Sequence, residues 1–433
     1  MENKKGVKVF TGFVLSQMLI IGLLFTAAES FGMIEAEMFN TYLDHVLGLA
    51  PIYITIMVAL SAMVGLITMI VFGIMSDNTR STRFGRRRPY LLIGGLGAGV
   101  SMIVFAFSGN FLTALIIDVI AVGIASNAFY TAQRAIIPDV VDVNHRGRAN
   151  SIAVNLSTVG LGIGIALFFI INELFGVPDG NGGTNITQEG YILALSVGGI
   201  IFICVGIIGF LWLKEPPVSD MPPKKKFIRE FREIFNIKEL KKNRDFYKFV
   251  IAFTIFNSGN SVFLPFLFIF IFDLGLSTLT LISILAIAAP FLIIVTVLLG
   301  RFADNPKFGR KRLLPPTILI GSIGFFLVPL SAMTTEPIIP LYGFVFTLIL
   351  VMLVAVNTPL NAWHQDLLPE RTRGKFLGIL NITRTLSQVI GVIVGGIVAT
   401  LISIEWIFAF APIFYITSIP FFLTIKETLP DKK

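Results

Sequence analysis

The feature that most limits what this chain can fold into is a succession of twelve long apolar runs. They lie at about 10–33, 51–75, 90–108, 111–133, 150–172, 191–213, 249–272, 278–299, 314–333, 338–362, 376–401 and 406–425. A helix of about 20 apolar residues crosses a hydrocarbon core of ~30 Å. Lipid offers backbone N–H and C=O groups no partner, so a crossing segment is a helix or a strand of a closed barrel. These runs lack the residue-by-residue alternation of barrel strands. Charged residues make up only 14% of the chain, against about 25% in soluble domains. The expectation is an all-α integral membrane protein with twelve transmembrane helices.

Charge placement supplies an orientation. With the N-terminus in the cytoplasm and the crossings alternating, the inner segments collect Lys4, Lys5 and Lys8, the arginines of "SDNTRSTRFGRRRPY", and Arg134, Arg146 and Arg148. They also take the basic residues of 214–248 and 301–312, then Arg371, Arg373, Lys375, Lys426, Lys432 and Lys433. Arg384 falls inside a run, and none of the 34 Lys and Arg falls in an outer loop. Positive residues mark the cytoplasmic side, so both termini are expected inside a cell membrane. The net charge of +8 is therefore a topology signal, and nucleic acid is not an expected partner. The first run exceeds a signal h-region and lacks a small-residue cleavage site, so it reads as a retained span.

Other chemistry is thin. Cys204 has no second cysteine to pair with, and His45, His145 and His364 lack metal-ligand spacing. No Gly-rich loop ends in Lys-Ser or Lys-Thr. Neither a metal, a cofactor nor enzyme activity is expected. Asn185-Ile186-Thr187 is a glycosylation sequon in the outer loop 173–190.

The chain repeats itself. "GIMSDNTRSTRFGRRRP" after the second run returns as "GRFADNPKFGRKRLLPP" after the eighth. "RAIIPDVVDVNHRGRAN" after the fourth returns as "DLLPERTRGKF" after the tenth, and "LKEPP" after the sixth as "IKETLP" after the twelfth. Three echoes in the same order imply two parallel six-helix repeats about an axis along the membrane normal. The expected domains are 1–213 and 249–433, joined by a charged cytoplasmic linker, 214–248. Within the linker Phe227, Phe231, Ile234 and Phe235 fall at helical spacing, which predicts an interfacial helix.

The pattern Gly-x-x-x-Asp … Gly-Arg-[Arg/Lys] at Gly73, Asp77, Gly85, Arg86 and Arg87 recurs at Gly300, Asp304, Gly309, Arg310 and Lys311. It resembles the signature of the major facilitator superfamily. The expanded loop "SDNTRSTRFGRRRP" and "RAIIPD" at Arg134–Asp139 are similar to those of the sucrose–proton symporters, and less closely to the glycoside–pentoside–hexuronide:cation symporters. Asn127 also falls where the sucrose-type proteins carry an asparagine. What the resemblance implies is a secondary transporter working by alternating access without a cofactor, with a proton or sodium ion coupled to a sugar or glycoside, acting as a monomer in the bilayer. It implies that helices 1, 4, 7 and 10 line a cavity. It also implies inner gates: Asp77 with Arg83, Arg86, Arg87 and Arg88, and Asp304 with Arg310, Lys311 and Arg312. Arg134, Asp139, Arg146, Arg371 and Arg373 are their expected neighbours. A static topology role for the same arginines, a carrier of amphipathic or lipid-like molecules, and a non-transporting receptor or scaffold on the same fold stay open.

At 100° per residue, Gly22, Thr26, Glu29, Ser30 and Glu37 share one face of the first helix, with Glu35 opposite. A carboxylate inside a span is expensive and marks a functional site. Glu29 is therefore a coupling candidate, with Glu37 at or beyond the outer rim. In helix 4, Asn127, Tyr130 and Arg134 share a face, while Asp118 falls nearly opposite. The sucrose-type proteins carry a helix-4 aspartate where this chain has Gly123, so Asp118 is a substitute candidate only. Cavity candidates on the remaining helices are Asn257 and Asn260, then Tyr342, Asn357, Asn361 and Trp363, and Arg384 in helix 11. Amides suit hydroxyl-rich ligands because they donate and accept; they also serve helix packing. Arg384 would pair with Asp366 or meet an acidic substrate such as a uronate.

Overall fold

The computed structural model of the chain describes residues 15–428, except 82, 142–144, 181, 217–242, 304, 306–307, 333–338 and 369–372. The expected linker helix therefore lies outside the described residues, as do Asp304 and Arg371. Twelve helices among the described residues are long and apolar enough to cross a membrane. Spans 1 to 6 are Ser16–His45, Pro51–Asn78, Arg88–Phe105, Phe111–Val140, Arg148–Phe175 and Gln188–Trp212. Spans 7 to 12 are Arg244–Asp273, Thr278–Ala303, Gly309–Leu330, Pro340–Leu367, Ile379–Leu401 and Ile404–Leu423. This is the all-α, multi-pass membrane architecture that the apolar runs predict. One short hairpin, Gly176–Pro178 with Thr184–Ile186, is added between spans 5 and 6.

Span 1 outruns its apolar stretch by twelve residues, from Met33 to His45. Polar side chains in "IEAEMFNTYLDH" end the hydropathy signal, yet Ile34, Met38, Phe39, Tyr42 and Leu43 continue the buried face. Helical amphipathicity, not uniform hydropathy, carries this end. Tyr42 is held there by donating to the Ser108 carbonyl at 2.8 Å. Glu37 consequently sits within span 1 and not at a wetted rim. Its Oε2 is buried.

Four spans are not α-helical throughout. Span 1 contains a π turn at Ile34–Met38, span 4 one at Ile117–Val122 and span 10 one at Val351–Ala355. Span 7 tightens to a 3₁₀ turn at Leu264–Phe266, where Pro265 has no N–H to continue the α ladder. These are the first and fourth spans of each sequence repeat; the other eight spans are α-helical along their described length.

The chain forms two compact units. The first holds spans 1, 3, 4, 5 and 6 and the part of span 2 from Met63; the second holds spans 7 to 12 together with Ala50–Ala62 and Pro178–Thr184. Each unit is built on close helix approaches at small residues, as membrane interiors require where burying apolar surface offers no drive. In the first, spans 1 and 5 meet so tightly that a Cβ on Gly160 would lie 2.1 Å from the Thr26 carbonyl oxygen. In the second, spans 7 and 11 meet so that a Cβ on Gly395 would lie 2.0 Å from the Val262 carbonyl oxygen. These are equivalent helix pairs in the two repeats. Aromatic pairs add to this packing: Phe31 stacks on Phe202 at 4.1 Å in the first unit, and Phe256 lies tilted against Tyr415 at 5.1 Å in the second.

Candidate functional site

Three constellations carry the charge and polarity. The first is the loop between spans 2 and 3. Asp77 Oδ1 accepts from Nη2 of Arg86 and of Arg87, each at 2.6 Å. Arg87 also donates through Nε to Asp139 Oδ2 at 2.7 Å and through Nη1 to Ser76 Oγ at 2.5 Å. Arginine suits this position because its planar fork reaches two carboxylates at once. The Arg87 side chain is only 4% exposed, against 46% for Asp77 and 20% for Asp139. This departs from the exposed, weak pairs that a gate suggests: the arginine is taken out of water and is held by several partners.

Not every expected partner joins in. Arg83 is exposed and lies over the Phe84 ring at 5.0 Å. Arg88 turns to span 6, donating to the Phe210 carbonyl and, at 3.3 Å, to the Leu211 carbonyl. Arg146 donates to the Pro138 carbonyl at 2.6 Å and the Val141 carbonyl at 3.1 Å, so it caps the end of span 4. Arg134 lies beside Tyr130, 5.8 Å from the ring centre, and donates to Met69 Sδ at 3.7 Å. Spacing alone could not separate these arginines, because the path of the loop decides which face the carboxylates.

In the second half, Arg310 is buried and donates to Asp366 Oδ2 and to Thr428 Oγ1. Asp366 is therefore committed to Arg310, not kept for Arg384 as one sequence reading had it. Arg312 is exposed, and Arg373 opens the helix that carries span 11.

Two glutamates that were seen in the sequence only as echoes prove central here. Glu215 of "LKEPP" accepts from the backbone N–H groups of Arg86 at 2.5 Å, Arg87 at 2.9 Å and Arg88 at 2.8 Å. It thus caps the start of span 3, where a carboxylate satisfies unpaired donors and opposes the positive helix end. Glu427 of "IKETLP" accepts from the backbone N–H of Lys311 at 2.9 Å at the start of span 9. The glycine of each motif makes room for the carboxylate. Gly85 has φ +80° and Gly309 φ +66°, and a Cβ on Gly85 would stand 2.9 Å from Glu215 Oε2. Gly85→Ala is expected to destabilise by ~1–2 kcal/mol through the left-handed backbone alone. Thermal unfolding of the purified protein checks this; an unchanged midpoint would exclude the cap as a structural requirement.

The second constellation lies within the spans of the first unit. Glu35 interacts electrostatically with Asp118, and Glu29, Glu35 and Arg134 all act on Tyr130. Asp118 is 4% exposed, and Tyr130 donates to the Ala28 carbonyl at 3.3 Å. In a regular helix Asp118 would stand about 180° from Asn127, but the intervening π turn takes up one residue and brings it ~100° back. That corrects the expectation of an opposite-facing Asp118. Glu35, which the wheel placed away from the cavity face, is the carboxylate that interacts electrostatically with it. Glu29 is exposed within span 1. Two neighbours are structural: Thr26 donates to the Gly22 and Leu156 carbonyls at 3.0 and 3.1 Å, and Asn127 to the Gly123 carbonyl at 2.7 Å.

The third constellation is in the second unit. Asn257 donates to the Phe253 carbonyl at 3.0 Å, and Asn260 Oδ1 accepts from the Tyr415 hydroxyl at 2.7 Å. Asn357 donates to the Leu353 carbonyl of its own helix. Asn361 is exposed, whereas Tyr342 is buried. Trp363 is 0% exposed and donates through Nε1 to the Lys426 carbonyl at 3.2 Å. It is a core residue, packed with Phe249 and Phe422, and not the cavity residue its sequence position suggested. Arg384 is exposed and lies over the Phe253 ring at 5.8 Å.

Twelve spans in two repeated units, with carboxylates and an arginine at membrane depth, are the build of a membrane transporter. The sequence profile described as Major Facilitator Superfamily matches residues 10–392. The chain belongs to that superfamily. Its fold is similar to two inward-facing crystal structures of a bacterial homologue of the human lysosomal transporter Spinster. The unoccupied form matches with a TM-score of 0.65 at 16% identity, covering 95% of this chain and 97% of that one. The occupied form gives 0.66 at 14% identity, covering 95% of each. No curated protein matches the chain at a significant level.

Proposed function

We propose that the protein is a cation-coupled secondary transporter in which two halves, 1–213 and 249–433, joined by 214–248, alternate access to a bound solute. The feature that supports the coupling is a pair of carboxylates, Glu35 and Asp118, each set in the π turn of its span and interacting electrostatically. Two neighbouring carboxylates at membrane depth are costly as a doubly charged pair, so they suit a site that holds a proton or another cation in part of the cycle. Glu29 and Glu37, both on span 1, are further coupling candidates. A proton is the simpler ion, since the pair needs only to share it.

Sugar or glycoside symport is the solute reading supported by the resemblance of the span 2–3 loop and "RAIIPD" to the sucrose-type symporters. The cavity candidates Asn257, Asn260 and Asn361 fit hydroxyl-rich ligands, though two of these amides already serve intrahelical or interhelical bonds. A carrier of amphipathic molecules is the second reading, favoured by the cation on an aromatic face at Arg384 and Phe253. Both termini are placed in the cytoplasm of a cell membrane on the strength of the basic loops, and the loop clusters around Asp77 and Arg310 serve as inner gates.

Internal pH in proteoliposomes under a voltage clamp tests the coupling, with mono- and disaccharides, uronates and lysolipids supplied in turn. Acidification that depends on one solute is the expected result. Solute uptake that is indifferent to pH but follows sodium would move the pair from proton to sodium binding; uptake indifferent to both would overturn coupling.

A further inference from the structure

Spans 5 and 6 are joined by the twelve residues 176–187, whereas the equivalent spans 11 and 12 are joined by two, 402–403. A six-helix unit therefore closes without the hairpin of Gly176–Pro178 and Thr184–Ile186. The hairpin is an addition to the first repeat, at the end of that unit away from the Asp77 loop. Its feet, up to Val177 and from Asn185, belong to the first unit, and Pro178–Thr184 belongs to the second.

One foot rests on a histidine. The Ile186 backbone N–H donates to Nδ1 of His45, the last residue of span 1, at 3.1 Å. The Tyr191 hydroxyl of span 6 lies 3.0 Å from the same nitrogen. The His45 side chain is 0% exposed, and Ile186 is buried. An imidazole nitrogen that accepts from an amide carries no hydrogen, so His45 is neutral here with its proton on Nε2. The offset that relates Gly73 to Gly300 sets Phe272 in its place. The histidine, like the hairpin, is not part of the repeated framework.

A proton arriving at Nδ1 affects the two neighbours differently. The Tyr191 hydroxyl can turn to accept from the new N–H. The Ile186 amide cannot, because its hydrogen is fixed in the peptide plane and now faces another hydrogen. Asp44 Oδ2, 3.9 Å from Nε2, gives the charged ring a counter-ion at its other nitrogen. On span 6, Tyr191 stands with Tyr42 of span 1, their ring centres 5.3 Å apart. Glu173 and Glu189, at the adjoining ends of spans 5 and 6, are exposed. The hairpin's single ionisable side chain, Asp179, accepts from the Gly183 N–H at 2.9 Å, at the tip.

We propose that His45 is a pH-sensitive latch on the hairpin. Neutral, it holds the Ile186 foot to the end of span 1; protonated at Nδ1, it lets that foot go. The tip keeps its own contact within the second unit, where a Cβ on Gly183 would lie 2.9 Å from the Asp273 Cα at the end of span 7. The latch is a property of the fold and stands whether or not Glu35 and Asp118 couple transport to an ion.

Hydrogen exchange of the full-length protein in nanodiscs, read at the Ile186 amide by fragmentation mass spectrometry, tests the latch. Labelling times are scaled to the intrinsic exchange rate at each pH. Imidazoles charge between pH 8 and pH 5. Over that range protection of the Ile186 amide should fall by about tenfold or more, the scale of one lost hydrogen bond. Amides in the middle of span 6 should keep theirs. His45→Asn, whose Oδ1 accepts where Nδ1 does but takes up no proton, should stay protected at both pH values. His45→Leu has no acceptor and should show the low protection at both. Equal wild-type protection at pH 8 and pH 5, or an equal fall in His45→Asn, overturns the latch. The wild-type profile decides alone if a variant fails to fold.

Discussion

Asp118→Asn should lower gradient-driven solute accumulation by at least about tenfold, while equilibrium exchange of the same solute continues. Asparagine keeps the size of the side chain and its capacity to hydrogen-bond, but it neither carries charge nor releases a proton. If Glu35 and Asp118 act as one site, Glu35→Gln gives the same phenotype, and the double variant is little worse than either single one, because neighbours that work as a unit are not additive. Uptake under an imposed pH gradient, set beside counterflow without one, reads the difference directly. Retention of accumulation in Asp118→Asn would move coupling to Glu29 or Glu37, both on span 1.

The second large effect is expected on stability. Arg87 bridges Asp77, Asp139 and Ser76 from a position 4% exposed. Removing one partner of a buried ion pair typically costs ~3–5 kcal/mol, because the partners left behind keep their desolvation cost. Asp77 is nearly half exposed, so its share of that loss is softened by water, and Arg87→Ala belongs near the lower end. Arg87→Lys should recover only part, since an ammonium lacks the fork that spans two carboxylates. Thermal unfolding in detergent at constant lipid content measures both. Equal midpoints for wild type and Arg87→Ala would show that the loop cluster does not hold the fold together.

Much of this architecture is legible without coordinates. Apolar runs locate spans because length and composition are all that a lipid crossing demands, and the echoes of Gly73 through Lys311 mark the repeat. Asp77 with Arg86 and Arg87 could be named from their motif. The echo of "LKEPP" in "IKETLP" was visible too, but the capping role of Glu215 and Glu427 needed the backbone of a distant loop. Trp363 could not be assigned to core or cavity from its helix position, since a wheel shows which residues share a face and not what that face meets. The larger miss concerns Asp118 and Glu35. Counting 100° per residue assumes that every turn is alike, and a π turn breaks that assumption without leaving a mark in hydropathy.

The π turn at Ile117–Val122 also separates two things that a membrane helix usually ties together. Deleting one residue there would leave a helix still long enough to cross the bilayer, with its buried face beyond the turn intact. Asp118 would nonetheless swing away from the face it presents toward Glu35. Under the proposed coupling, a variant of that kind would insert, fold and pack as a member of its family while having lost the means to draw on an ion gradient. Conversely, one inserted residue is a short step by which a passive carrier on this fold acquires such a pair. Whether a protein of this architecture merely equilibrates its solute or concentrates it can then turn on the length of a single helical turn.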